Sequence, residues 1–265
     1  MKLLVPDSIR RLRLRAMMAR HLVNWREVWS AYDVEALPPP LHFRTGVTLH
    51  HTPGDAPVFL FFEIFANGCY RRRLTLPVAG RVVDIGANIG AFILDSAFHQ
   101  PGLTFHAYEP NPESFQTLER NIDANGLRDR VTPFNEAVTG RGGTIALWRG
   151  GGSLAAGAFA ADTRDEARTI QVPAVPLSDV VERAGHITLL KIDAEGAEAD
   201  ILESADARTL AHIQAIVGEY HEDLVPGVMR RVDAALNSAG FSTDSSGGWG
   251  RETLFVSRRL IPRVE

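Results

Sequence analysis

The sequence predicts an α/β chain: a doubly wound, mainly parallel sheet with helices on both faces and an antiparallel hairpin at one edge. Three observations carry this expectation. From Gly80 onward, short apolar runs alternate with amphipathic runs of helical length, the pattern of a parallel sheet covered on both sides. The 265 residues fit one large domain with an extension. The balance of 45% hydrophobic and 23% charged residues excludes a fully disordered or collagen-like chain.

Residues 1–78 read as an extension and 79–265 as the main domain. The start is crowded with Arg10, Arg11, Arg13 and Arg15, followed by Arg20 and Arg26. Only Leu3, Leu4 and Val5 are consecutively apolar there, too few for a secretory core, so a cytoplasmic protein is expected. A basic helix can touch a membrane or RNA. The poor spacing of Leu12, Leu14 and Met17 favours a solvated helix lying over one side of the domain. Pro38, Pro39 and Pro40 stop any preceding helix, because proline lacks the donor and clashes with the turn before it. Residues 41–49 and 58–65 are rich in β-branched and aromatic residues and flank the turn Thr52-Pro53-Gly54-Asp55, which predicts two short strands.

In the main domain, strands are expected at 81–85, 104–108, 131–134, 187–192 and 213–220. Helices are expected at 89–99, at 112–124 with Phe115, Leu118 and Ile122 on one face, from Ala197, and at 228–239 with Gly240 as the stop. Residues 241–243 and 253–257 form the edge hairpin. The segment 140–176 interrupts the alternation with an inserted hairpin, strand-like at 144–148 and 169–175 around a Gly150–Ser153 tip. Such an insertion either shapes a substrate site or is a surface hairpin.

Ligands of doubly wound sheets bind beyond the carboxyl ends of the strands. The first strand ends in Asp84-Ile85-Gly86-Ala87-Asn88-Ile89-Gly90. Gly86 permits a tight turn, the helix start offers unpaired amide donors, and Asp84 puts a carboxylate where a cation or ammonium would sit. The run departs from G-x-G-x-x-G, because Asn88 stands at the second glycine. The second strand ends at Glu109, about 20 residues on, where an acid can accept hydrogen bonds from a ribose diol. Asn135 and Glu136 follow the third strand, where polar groups read an adenine edge. Each feature alone also suits a plain turn or a helix cap; together they point to a nucleoside-bearing ligand.

Three blocks, Val83 to Gly90, Tyr108-Glu109-Pro110-Asn111-Pro112, and Leu190-Lys191-Ile192-Asp193-Ala194-Glu195-Gly196-Ala197-Glu198, resemble the signatures of FkbM-type methyltransferases. That family is similar to the class I S-adenosylmethionine-dependent enzymes with their Rossmann-like sheet. The resemblance covers about residues 58–257. It implies that Gly86, Asn88 and Gly90 shape the cofactor loop, that Glu109 holds the ribose and that Glu136 lies near the adenine. Asp84, Asn135 and Asp193 are further cofactor-side candidates from their places at the strand ends. It further implies S-adenosylmethionine as donor, S-adenosylhomocysteine as product, and O-methylation of a sugar or natural-product hydroxyl.

Methyl transfer from a sulfonium is an in-line displacement, served by alignment of the acceptor and removal of its proton. Three candidates for the base stand at strand ends: Asp193 with Glu195, His221, and Lys191. Alternation on a strand puts Lys191 and Asp193 on one face, and Glu219 and His221 on one face if that strand persists. Histidine is the usual base near neutral pH. Lys191 is one of two lysines among 28 basic residues, so it marks a place that wants a compact ammonium. The plainer readings are a helix cap for Asp193 and Glu195, a solvent-facing Lys191 and a merely hydrogen-bonded His221. The expectation is that His221 takes the proton while Asp193 orients the acceptor or the imidazole. Glu63 and Tyr70 read as a lid or as an aromatic segment packing the extension down. Arg71 to Arg73 suit a phosphate or carboxylate, or solvent. Ser153, Glu219 and Arg251 complete the acceptor-side candidates.

Competing functions are separable. A nicotinamide-dependent oxidoreductase wants the glycine that Asn88 replaces. The absence of an Asn/Asp-Pro-Pro-Tyr sequence argues against adenine amino methylation, Cys69 lies outside any motif suited to cytosine C5 attack, and a net charge of −4 offers no overall positive field. A carboxylate, a nitrogen or a glycan remains an alternative acceptor, and a binding scaffold with a retained cofactor site a non-enzymatic one. Asp193, Glu219 and His221 offer ligands for a metal such as magnesium, but no metal is assigned. The lone Cys69 excludes an internal disulfide. No run approaches the roughly 20 apolar residues of a membrane span. A homodimer is left open.

Overall fold

The computed structural model describes residues 7–148, 169–245 and 253–259. The glycine-rich tip at 150–153, with the expected acceptor-side Ser153, and Arg251 in the edge hairpin's tip lie outside them. The elements, in chain order, are α1 (Asp7–His21), α2 (Trp25–Asp33), β1 (Leu41–His42), β2 (Thr48–Leu49), α3 (Pro57–Leu60), a π-helical turn (Phe61–Ala66) and α4 (Cys69–Arg73). Then come β3 (Ala79–Ile85), α5 (Ala91–His99), β4 (Gly102–Tyr108), α6 (Pro112–Ala124), β5 (Val131–Phe134), β6 (Ala137–Thr139), β7 (Gly143–Trp148) and β8 (Thr169–Pro176). Last come α7 (Leu177–Ala184), β9 (Leu189–Ile192), α8 (Glu198–Ser204), α9 (Ala207–Ala211), β10 (Ala215–Tyr220), α10 (Val228–Ser238), β11 (Phe241–Asp244) and β12 (Thr253–Arg259).

Seven strands form the main sheet in the order β11-β12-β10-β9-β3-β4-β5. The five strands from β10 to β5 run parallel, and β12 is antiparallel to both β10 and β11. This is the class I Rossmann-like arrangement with its antiparallel edge hairpin. The strands are apolar because both faces are covered. Along β3, Val82 enters the core on one face, while Val83 and Ile85 enter the other. Phe92 and Ile93 of α5 and Leu118 and Ile122 of α6 cover the first face; α7, α8 and α10 cover the second. The inserted hairpin exists: β7 and β8 are antiparallel and, with β6, make a separate three-stranded sheet.

The N-terminal segment shares the core of the first face, through Met18, Leu22, Leu41, Leu49 and Phe61. Two asparagines of α6 and its C-terminal end fasten it. Asn121 Oδ1 accepts from His50 N–H at 2.7 Å, and Asn125 Oδ1 from Thr48 N–H at 2.8 Å. The arginines of α1 and α2 lie over indoles, with Arg11 and Arg15 near Trp29 and Arg26 over Trp25. No helix among the described residues is long and apolar enough to cross a membrane.

Residues 58–65 depart from expectation, because they are helical, not extended. Pro57 sits in the first turn of α3, where its missing donor costs nothing. The buried residues Leu60, Phe61, Ile64 and Phe65 recur at a helical interval rather than in alternation. Their aromatic and β-branched content disguises that period. The 41–49 stretch keeps only a two-residue pairing on each side of its turn.

Candidate active site

One end of the site is made by the turn after β3, backed by the end of β4. Gly86 has φ 74° and Asn88 φ 49°, and the N–H groups of Gly86 and Ala87 both donate to Tyr108 O at 3.0 Å. A Cβ on Gly86 would lie 1.8 Å from Asp193 O, and one on Gly90 2.7 Å from Leu118 Cδ1. Gly86 is therefore required by close approach to backbone as well as by its conformation, and Gly90 by its positive φ of 87°. Glu109 is 7% exposed and uses both oxygens on backbone amides. Oε2 accepts from Asn88 N–H at 2.7 Å and Oε1 from Asn111 N–H at 2.8 Å. Burial pushes this carboxyl up to about 7, against the pull of those two amides. Asn88 Oδ1 is buried with no hydrogen-bond partner among the described residues. The turn's own amides are largely satisfied within the chain, so the unpartnered buried group it offers a ligand is Asn88 Oδ1, with the Glu109 carboxylate packed behind it.

Asn135 and Glu136 lie beyond β5, outside the lining of this cleft. Asn135 Nδ2 donates to Glu109 O and Pro110 O, at 2.7 and 3.1 Å, so it locks the end of β4 in place. Glu136 pairs with Arg183 at 2.5 Å.

The other end follows from the period of the strands. Asp84 and Lys191 are direct register partners on β3 and β9, so they share a face. The Lys191 ammonium lies 3.1 Å from Asp84 Oδ1 and 3.3 Å from Asp193 Oδ2, and donates to Gly86 O at 2.9 Å. Burial alone would lower this amine, but the carboxylates of Asp84, Asp193 and Glu219 outweigh it and hold it charged well above its usual range. Lys191 is thus a fixed positive charge bracing the glycine turn. That geometry does not suit a base.

His221 is buried just past β10. Its Nδ1 lies 2.7 Å from Glu198 Oε1, while Nε2 lies 3.6 Å from both Asp193 Oδ1 and Glu195 Oε2. Burial works against its charge, yet the Glu198 hydrogen bond and the Asp193 carboxylate, aided by Glu195, raise it to about 10. Glu198 is completely buried and also accepts from the Ala194 and Gly196 amides, each at 3.1 Å. Tyr70 donates to Glu219 Oε1 at 2.7 Å and packs edge-on against Phe92. Tyr70, Asp193, Glu195, Glu219 and His221 line a cleft of about 270 Å³, whose apolar wall includes Phe59, Leu60, Ile64 and Phe92, while Glu198 lies behind His221.

The structure brings Asp84, Gly86, Asn88, Gly90, Lys191, Asp193, Glu195, Glu219 and His221 to one end of the sheet. Glu63 and Tyr70 reach the cleft from the helical segment over it. Arg71 does not reach out for an anion; its Nε donates to Asp95 at 2.6 Å. Asp193, Glu219 and His221 offer ligand atoms within 4.8 Å of one another, with the Lys191 ammonium already beside Asp193. Glu198, which sequence reasoning misses as a site candidate, is the group nearest the His221 ring. Its signal is a second acid, three residues after Glu195, opening a helix whose next apolar residues face the core. Asp193 and Glu195 are the caps that spacing suggests for that helix; Glu198 takes the turn's amides instead.

Comparison with known proteins agrees with this architecture. Residues 84–243 match the methyltransferase FkbM domain. The chain is 31% identical over 232 residues to the 31-O-demethyl-FK506 methyltransferase FkbM of Streptomyces tacrolimicus, across 76% of this chain and 88% of that protein. It is 29% identical over 213 residues to methyltransferase sdnD of Sordaria araneosa, across 69% and 81% of the two chains. Methyltransferase 1 of Beauveria bassiana matches at 29% over 208 residues, across 69% and 80%. With the class I strand order, the glycine turn and the strand-end acids all in one chain, the protein belongs to the FkbM methyltransferase family and is a methyltransferase enzyme.

Proposed function

We propose that the chain transfers a methyl group from S-adenosylmethionine to a hydroxyl of a small molecule, a sugar or a natural product. The observation that carries this reading is Glu109, a buried carboxylate fixed by two backbone amides beside the Gly86–Gly90 turn. The cleft from that turn runs to the His221 imidazole. The relative from Streptomyces tacrolimicus is named for an O-demethylated substrate, which supports a hydroxyl acceptor. In this reading residues 1–78 supply the cover of the cleft through Glu63 and Tyr70.

The donor supplies an electrophilic methyl carbon: the acceptor oxygen bonds to it, the carbon–sulfur bond breaks, and its electron pair stays on sulfur. The chain's task is to align the acceptor and take its proton. His221 Nε2 faces the cleft and accepts that proton, and Asp193, 3.6 Å away, orients the hydroxyl. Accepting a proton requires the neutral imidazole. The carboxylates of Glu198, Asp193 and Glu195 hold the ring protonated in the ligand-free chain, and positive charge entering the cleft favours loss of that proton. The reading assigns no metal. Activity abolished by EDTA and restored by magnesium would overturn that part.

The test has two steps. Calorimetry should show S-adenosylhomocysteine binding and no NAD binding. Transfer of labelled methyl to a panel of hydroxylated small molecules should then fall about 10²–10⁴-fold in His221→Ala, and fall in Asp193→Ala, with folding checked. Near-normal transfer in both variants rejects the assigned roles.

A further inference from the structure

We propose that Glu198 is the positioning residue of this site: its carboxylate holds the His221 imidazole with the Nδ1 proton turned toward α8 and the Nε2 lone pair turned into the cleft. The proposal rests on His221 as proton acceptor in the methyl-transfer reading above. Glu198 opens α8; its Oε1 accepts from the Ala194 and Gly196 amides and lies 2.7 Å from His221 Nδ1. A helix cap needs only the amides, and a short side chain supplies that. The bond to a ring 23 residues further on, across a strand end, is extra to capping.

The position of the ring proton is a contest between carboxylates. Asp193 and Glu195 both lie 3.6 Å from Nε2. Left to them, the proton of a neutral imidazole would sit on Nε2, facing the cleft, and the ring could accept nothing there. Glu198 lies 2.7 Å from Nδ1 and is wholly buried. The closer, desolvated carboxylate makes the stronger hydrogen bond, so it sets the tautomer. Lys191 draws on Asp193 Oδ2 from the other side at 3.3 Å, which further weakens the competitor. The remaining charged or titratable neighbours are Glu219 on β10, with Tyr70 hydrogen-bonded to it, and Glu63 across the cleft. One carboxyl group thereby fixes both the imidazole and the 194–196 turn between the two acids that face it.

The experiment needs no acceptor. The full-length protein is labelled with ¹⁵N-histidine, the His221 signals are assigned by their loss in His221→Gln, and ring nitrogen shifts are followed against pH. In the wild type, the neutral ring should carry its proton on Nδ1. Glu198→Gln keeps an acceptor oxygen but removes the charge, so the tautomer should persist while the His221 titration moves down by at least about one pH unit. Glu198→Ala should move the proton to Nε2. A wild-type ring protonated on Nε2 when neutral, or a Glu198→Gln titration unchanged from wild type, overturns the proposal. The wild-type spectrum alone decides if the variants fail to fold. Calorimetry with S-adenosylhomocysteine on the same wild-type sample keeps the two ideas apart: absent binding sinks the methyl-transfer reading, while the ring spectra still decide whether Glu198 sets the tautomer.

Discussion

The end of the cleft beyond β3 and β4 is made chiefly of backbone, whereas the end beyond β9 and β10 is made of side chains. At the first, Gly86, Ala87 and Asn88 line the cleft, and behind them the amides of Asn88 and Asn111 hold one buried carboxylate, Glu109. At the second, Lys191 and the four carboxyl groups of Asp193, Glu195, Glu198 and Glu219 gather around the His221 ring. A backbone site is rigid and suits a ligand that never changes. A side-chain site is adjustable, because each residue can be replaced without rebuilding the turn. A common donor and a variable acceptor would divide the cleft in this way.

The comparison can be broken at its stiffest point first. Gly86→Ala adds a Cβ that meets Asp193 O at a residue of φ 74°, so chemical denaturation should show a loss of about 3 kcal/mol or more. Next, Glu109→Ala should weaken S-adenosylhomocysteine about 100-fold or more by calorimetry, since charge-assisted hydrogen bonds to the ligand vanish. Unchanged affinity would place the diol elsewhere. A pH series sharpens the same point. Glu109 sits near 7 in the ligand-free chain, and hydroxyl donors favour its ionised form. Affinity should therefore climb by up to about tenfold per pH unit below 7, flatten above it, and lose this slope in Glu109→Gln. The sign for folding is opposite. A raised carboxyl contributes stability present below its unfolded value and lost as pH rises through about 7. The smallest effect belongs to the adjustable end. Tyr70→Phe removes one bond to Glu219 and should cost about 1 to 2 kcal/mol of stability, with less change in S-adenosylhomocysteine affinity than any Glu109 variant.

The same division explains what can be read from sequence. The glycine turn and the Glu109 strand end are local, and their spacing is fixed by the length of one strand–helix–strand unit. Alternation suffices to put Lys191 beside Asp193. It cannot place Tyr70 against Glu219, which are 149 residues apart, or show that Glu136 is taken by Arg183, 47 residues on. Glu198 stays hidden because an acid in a helix's first turn ordinarily needs no further explanation. The helical nature of 58–65 is lost in its composition, since aromatic and β-branched residues favour strands unless a partner face imposes another period.

The contact between Gly86 and Asp193 couples the two ends mechanically. The 86–90 turn and the 193–196 turn touch through main chain, with no side chain between them to absorb a shift. Rebuilding the 193–196 loop would therefore also disturb the Gly86 turn, to which the proposed function assigns the methyl source. Substitutions on the facing helical wall, at Phe59 or Ile64, leave that hinge of peptide alone.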